Sequence, residues 1–186
     1  MNKWRLPASL NLGGADFAIR TDYRIILGIF RVLNDDGYDD VEKWAIAIRA
    51  FYIGDVPDAN EAIAQMITFF NGGTPQDDDD VKKPKLMDWE QDVDLLIPAI
   101  NHAAGYDVRG VDYLHWWTFL SYYLSIDENC TFNMVYWIRK KMANGEKLEQ
   151  HEREYVRDNP KVVFLRDAER IRQDEEDRKA LAEIGL

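Results

Sequence analysis

A single cysteine, Cys130, stands in a chain of 186 residues. No internal disulfide can form, so the fold has to rest on a buried core, and a reducing compartment suits it. No apolar run approaches the ~20 residues that a membrane span needs. The opening MNKWRLPASLNLGG has no apolar stretch of the kind that a secretory signal carries. These absences point to a cytoplasmic protein with no membrane partner. Cations are also scarce: 23 Lys and Arg face 34 Asp and Glu, for a formal net charge of −11. Phosphate backbones repel such a chain, which argues against nucleic acid as a partner. The basic run IRKKM at 138–142 falls where a helix is expected to end, and cations there complement the helix dipole.

The signatures of catalysis are missing as well. The sequence has no P-loop, GxSxG, HExxH or CxxC. His102, His115 and His151 have no second ligand type at metal spacing, and each reads as a surface or half-buried imidazole. Cys130 sits in DENCTF, a helix-start loop with no base beside it in sequence. DWEQDVD at 88–94 mimics the first half of a calcium loop. However, Val93 stands where the turn needs Gly, and Ala99 where a bidentate Glu is needed. Acids opening a helix are the plainer reading. The expectation is a protein without enzymatic activity, metal or cofactor.

What is present is helical periodicity. Leu10 and Leu12, then Phe17 and Ile19, alternate around Gly13-Gly14, which predicts a small hairpin. Thr21 is the expected N-cap of a first helix with Tyr23, Ile26, Leu27 and Phe30 on one face. Asp39 with Glu42 predicts a capping box and a second amphipathic helix with Val41, Trp44, Ala45 and Ile48 on one face. Asp58 with Glu61 opens a third, with Ile63, Met66, Ile67 and Phe70. Asp88 with Gln91 opens a fourth, with Val93, Leu96, Ile97 and Ile100, stopped at Gly105. The fold class is mainly α: a bundle of about six to eight helices with a small N-terminal β-hairpin.

Gly, Pro and blocks of like charge mark an acidic linker at 75–87. It separates a hairpin and three helices (1–74) from a second helical half (88–142), and the two halves are expected to form one domain. Residues 143–186 form a charge-rich arm broken at Asn159-Pro160. Its sparse apolar residues, Leu165, Ile171, Leu181 and Ile184, describe either a docked arm or a strip awaiting a partner.

The densest feature is YLHWWTFLSYYL at 113–124. On a wheel at about 100° per residue its apolar side chains cover an arc of roughly 220°, where a surface helix needs only about 100°. A helix over about 111–124 that is surrounded on most sides follows. It reads as the centre of the bundle, or as a protein-binding surface through Trp116, Trp117, Tyr122 and Tyr123, since Trp and Tyr are favoured at interfaces.

Three blocks carry a resemblance. LPASLNLGGADFAIRTDYR resembles the opening of a phage protein family that begins with LP, a short hairpin and T-D-[FY]-R. AFYIGDVPDANEAIAQMITFFNGG is similar to its second block, which ends in F-F-N-x-G. DWEQDVDLLIPAINHAAGYDVRGVDYLHWWTFLSYYLSIDENCTF is similar to its third, with L-H-W-W-x-F. The family is the "gp fifteen" type of tail-region protein found in Gram-positive siphophages and prophages. The resemblance implies a largely helical tail assembly chaperone, working in the host cytoplasm, without catalytic residues. Its implied partner is the tape measure protein. The tail tube protein, through the charged arm, and self-association are further expectations. The alternative is a structural virion protein, a tail completion or connector component. The chain departs from the family pattern at Thr118, where Lys is usual, and the resemblance does not extend over 143–186.

Overall fold

The computed structural model describes residues 4–75 and 83–166. Among these the chain is mainly α, with eight helices and one two-stranded hairpin, as the periodicity predicts. The described residues group into two units. One comprises those within Met1–Lys83 together with Ile100–Ser125, and the other those within Pro84–Ala99 together with Ile126–Leu186. This grouping differs from the division at the linker, because the aromatic helix joins the N-terminal elements.

In the first unit, β1 (Ser9–Leu12) pairs antiparallel with β2 (Ala15–Ala18), Leu12 opposite Ala15. Gly13 and Gly14 turn the chain with positive φ, the conformation this tight turn requires. Leu10 and Leu12 point inward. Helix α1 (Tyr23–Leu33) is capped by Asp22, whose carboxylate accepts from Arg24 N–H. Thr21, the expected cap, instead gives its carbonyl to Trp116 N–H at 2.7 Å. The buried stripe of α1 is Tyr23, Ile26 and Ile29, while Leu27 lies half-buried at its edge.

Helix α2 (Asp40–Phe51) begins at the predicted capping box of Asp39 and Glu42. It is rotated from the expected face: Ala47 and Phe51 are buried, whereas Val41 and Ala45 are exposed and Trp44 and Ile48 half-buried. Helix α2 packs against α1 and carries apolar residues nearly all round, so two faces compete. The side with the small Ala47 methyl is the one turned inward. Helix α3 (Ala59–Phe70) starts on Asp58, which accepts from Asn60 and Glu61 N–H. It buries Ala62, Met66, Phe69 and Phe70, while Ile63 and Ile67 stay half-buried.

Helix α4 (Val93–Ala104) crosses the boundary between the units and ends before Gly105. Asp88 does accept from Gln91 N–H, but it closes a turn ahead of the helix. Val93 is exposed, and Leu96, Ala99 and Ile100 take the buried side. After a short 3-10 turn at Val108–Gly110, α5 runs over Trp116–Leu124. It is shorter than the predicted 111–124, because the chain bends at 111–112 and Leu114 and His115 are tied to the start of α1: Tyr23 N–H donates to the Leu114 carbonyl at 3.0 Å, and Asp22 bridges His115. Tyr113 and Leu124, expected within the apolar arc, are exposed.

In the second unit, α6 (Thr131–Ala143) is followed by α7 (Gln150–Asp158) and α8 (Pro160–Val163), with the break at Asn159-Pro160 as read from the sequence. Its centre is an ion pair. Asp92 and Arg139 are 1% and 6% exposed and meet at 2.7 Å and 2.8 Å through both carboxylate oxygens. Arg139, read from the sequence as a helix-end cation, is therefore a buried joint, and Asp92 is more than an acid near a helix start. Gln91 adds a second clamp on the segment after α8. Its amide donates to the Lys161 and Phe164 carbonyls and accepts from Arg166 N–H.

Candidate partner-binding surface

The aromatic segment lies inside the first unit. Trp116 is 1% exposed and Trp117 9%. Their indole N–H groups donate to the Phe70 and Phe69 carbonyls at 2.9 Å and 2.8 Å. These carbonyls belong to the last turn of α3, which lacks intrahelical donors; the Phe69 carbonyl also accepts from Gly72 N–H at 3.1 Å, and the two indoles complete the cap of α3. The Trp116 ring meets Phe30 edge-on and stacks on Phe119, which itself stacks on Tyr23 at 4.4 Å. A partner could reach Trp116 or Trp117 only by opening this core. Tyr122 and Tyr123 are half-buried, and Leu165 is buried in the second unit. Ile171, Leu181 and Ile184 lie outside the described residues, as does the acidic run Asp77–Asp80.

His115 is buried, contrary to the surface or half-buried position expected of it. It is the N-cap of α5: Nδ1 accepts from Trp117 N–H at 3.0 Å, and Nε2 donates to the Pro7 carbonyl at 3.1 Å. Both ring nitrogens are thus satisfied in the neutral state. Burial pushes its pKa below the ordinary value, and the bond to Pro7 opposes this. The unfolded chain takes up a proton as pH falls through about 6.5, while the folded ring holds out. This contribution to stability is therefore full above that pH and is lost as pH falls below it through the folded pKa. In His115→Asn the side-chain oxygen can still cap the helix. We expect the urea midpoint of the wild type to fall faster than that of His115→Asn on going from about pH 7 to about pH 5. Equal slopes would show that the ring does not titrate in this range.

Among the described residues, no group of three or more His, Cys, Asp or Glu could hold a metal ion. Cys130 caps α6, its sulfur 3.5 Å from Asn133 N. Asp88 holds the Glu90 and Gln91 N–H groups and pairs with Lys85 at 3.0 Å. Backbone hydrogen bonds and the ion pair hold its carboxyl below the usual range, outweighing a larger opposing contribution from burial.

An apolar surface shaped as a groove lies open on α2. Val41 is 79% exposed, and with Trp44, Ala45 and Ile48 it forms one wall of a groove of about 540 Å³. Val56 in the α2–α3 loop and Ile63 on α3 continue the apolar lining, with Asp40, Arg49 and Asp55 among the polar residues around it. The loop that shapes it is well anchored. Arg20 donates to the Arg49, Ala50 and Tyr52 carbonyls, closing the C-terminal end of α2, and Tyr52 hydroxyl donates to the Ala62 carbonyl at 2.9 Å. Burial pushes the Tyr52 hydroxyl pKa upward, so it stays a donor. Val41, Trp44, Ala45, Ile48 and Ile63 were read from the sequence as apolar helix faces, without a groove between them. The signal that could have flagged them is the double apolar character of α2, whose two stripes exceed what one buried side of a helix can hold.

Among known proteins, the family model described as Bacteriophage Gp15 protein matches residues 3–165. No curated protein and no solved structure matches the chain.

Proposed function

The chain belongs to the Bacteriophage Gp15 protein family, and from that membership we propose that it is a tail assembly chaperone that binds the tape measure protein while the tail is built. One observation carries the reading beyond membership: the apolar stripe of α2 faces outward on a chain of net charge −11. A long helical rod exposes apolar surface until it is packed. A protein that keeps it soluble needs an apolar face for contact and net charge for dispersal. The mechanism is reversible covering. Apolar surface on the rod is removed from water against the chaperone, then released as the tube grows around it. The host cytoplasm is the corresponding place of action. Among the described residues no helix is long and apolar enough to cross a membrane. The charged arm at 143–186 is a second contact, suited to the tail tube protein.

Co-expression with the tape measure protein tests the reading. The expected result is a soluble tape measure protein and a recoverable complex. An insoluble tape measure protein with no complex overturns it. Mass spectrometry of purified particles tests the structural alternative, a tail completion or connector component. Peptides from this chain at stoichiometric level would favour that role over a chaperone that departs.

A further inference from the structure

Eight carboxylates and two cations lie between Asp35 and Glu61, the stretch that holds α2, the loop after it and the start of α3. More than half of the formal net charge is therefore concentrated on these 27 of the 186 residues. In the middle of this charge is the one wall of α2 that is apolar and open to water. Both ends of the groove are fixed before anything binds. Asp39 and Glu42 close the start of α2, Asp58 closes the start of α3, and Arg20 holds the carbonyls at the end of α2. A preformed apolar trough loses little order on filling, which favours binding.

We infer that this groove docks a short amphipathic helix of another protein, apolar on one face and flanked by Lys or Arg. The wall is α2 itself, whose 12 residues span about 18 Å, so about three turns of a partner helix would lie along it. Its apolar residues would meet Val41, Trp44, Ala45 and Ile48, while its cations face Asp40 and Asp55, which outnumber Arg49, the one cation among the described lining residues. Charge decides against the other occupants. A second copy brings another chain of net charge −11. The chain's own residues 167–186 hold seven carboxylates and four cations. Both would set acid against acid, where like charges oppose docking. The inference rests on the chaperone reading only for which protein supplies the helix.

The test uses the full chain and two fluorescently labelled peptides of about 14 residues with the same leucine stripe, one flanked by lysines and the other by glutamates. Fluorescence anisotropy near physiological salt is expected to show the lysine peptide binding at least about tenfold more tightly than the glutamate one. Val41→Ser and Trp44→Ala are each expected to weaken it at least about tenfold. Val41 is exposed, so its variant keeps the fold, which thermal melting verifies. Equal binding of the two peptides overturns the inference. So does binding that survives both substitutions, since that would be net charge alone. Sedimentation showing dimers that dissociate in Val41→Ser would assign the groove to a second copy and also overturn it. Peptide binding without a soluble tape measure protein in co-expression leaves the groove standing and removes the chaperone reading. A soluble complex without peptide binding does the reverse.

Discussion

Arg139→Met is expected to lower the stability of the second unit by about 3–5 kcal/mol, the range for breaking a buried ion pair from one side. The guanidinium is fully used: Nε donates to the Val163 carbonyl at 2.7 Å, Nη1 to the Leu86 carbonyl and Asp92, and Nη2 to Asp92 and the Val162 carbonyl. Methionine fills much of the same length but donates nothing. It leaves the Asp92 carboxylate, 1% exposed, without its cation, and three carbonyls without a donor. Urea unfolding followed by circular dichroism measures the loss as a lower midpoint. Arg139→Lys should recover little, because an ammonium cannot reproduce the planar fork. The double variant Asp92→Leu with Arg139→Met should recover part of the loss by removing the stranded charge. Recovery would be incomplete, since Asp88 N–H also donates to Asp92 and would lose its acceptor. A loss below about 1 kcal/mol in the single variant would mean that the pair is solvated.

This joint marks the limit of what the sequence could reveal. The hairpin at Gly13-Gly14, the capping box of Asp39 and Glu42, the stop at Gly105 and the break at Asn159-Pro160 are set by neighbours in sequence, and all could be read there. Pairing between Asp92 and Arg139 depends on residues 47 apart that only the fold brings together. In sequence each has a sufficient local explanation, an acid near a helix start and a cation near a helix end. Helix α2 shows the same limit differently. Periodicity identifies a helix and its apolar stripe, but which of two stripes is buried depends on how closely α1 approaches, and Ala47 wins over the bulkier Trp44 and Ile48. The groove was therefore hidden among residues read simply as the apolar face of an amphipathic helix. The aromatic helix was read as surrounded on most sides, and Trp116, Trp117 and Phe119 are buried in the first unit, but its start was read too early because Leu114 and His115 are tied by backbone contacts to the start of α1.

The blocks that carry the family resemblance meet in one place. The LP opening reaches His115 through the Pro7 carbonyl, and the TDYR element holds Leu114 and Trp116 by backbone hydrogen bonds. The FFNGG turn receives both indole N–H groups. Packing and capping account for these motifs, and the proposed partner groove on α2 is made of other residues.

Trp116→Ala is therefore expected to be the most damaging change in the first unit, at about 3–5 kcal/mol. The substitution empties a site 1% exposed to solvent, between Phe30 and Phe119, and strips the Phe70 carbonyl of its donor. Both losses fall on the joint between α3 and α5. Trp116→Phe keeps most of the ring volume and loses the N–H, so its cost should lie between wild type and Trp116→Ala, and the difference separates packing from capping. Leu124→Ala, on the same helix but 80% exposed, should change stability by less than about 0.5 kcal/mol. Denaturant titration of the three variants gives the order directly. If Trp116→Ala unfolds at the wild-type midpoint yet loses tape measure binding, the ring is a contact surface and the capped core described above is wrong. If it loses stability while Val41→Ser loses only binding, holding the fold and gripping a partner are done by different faces of the same unit.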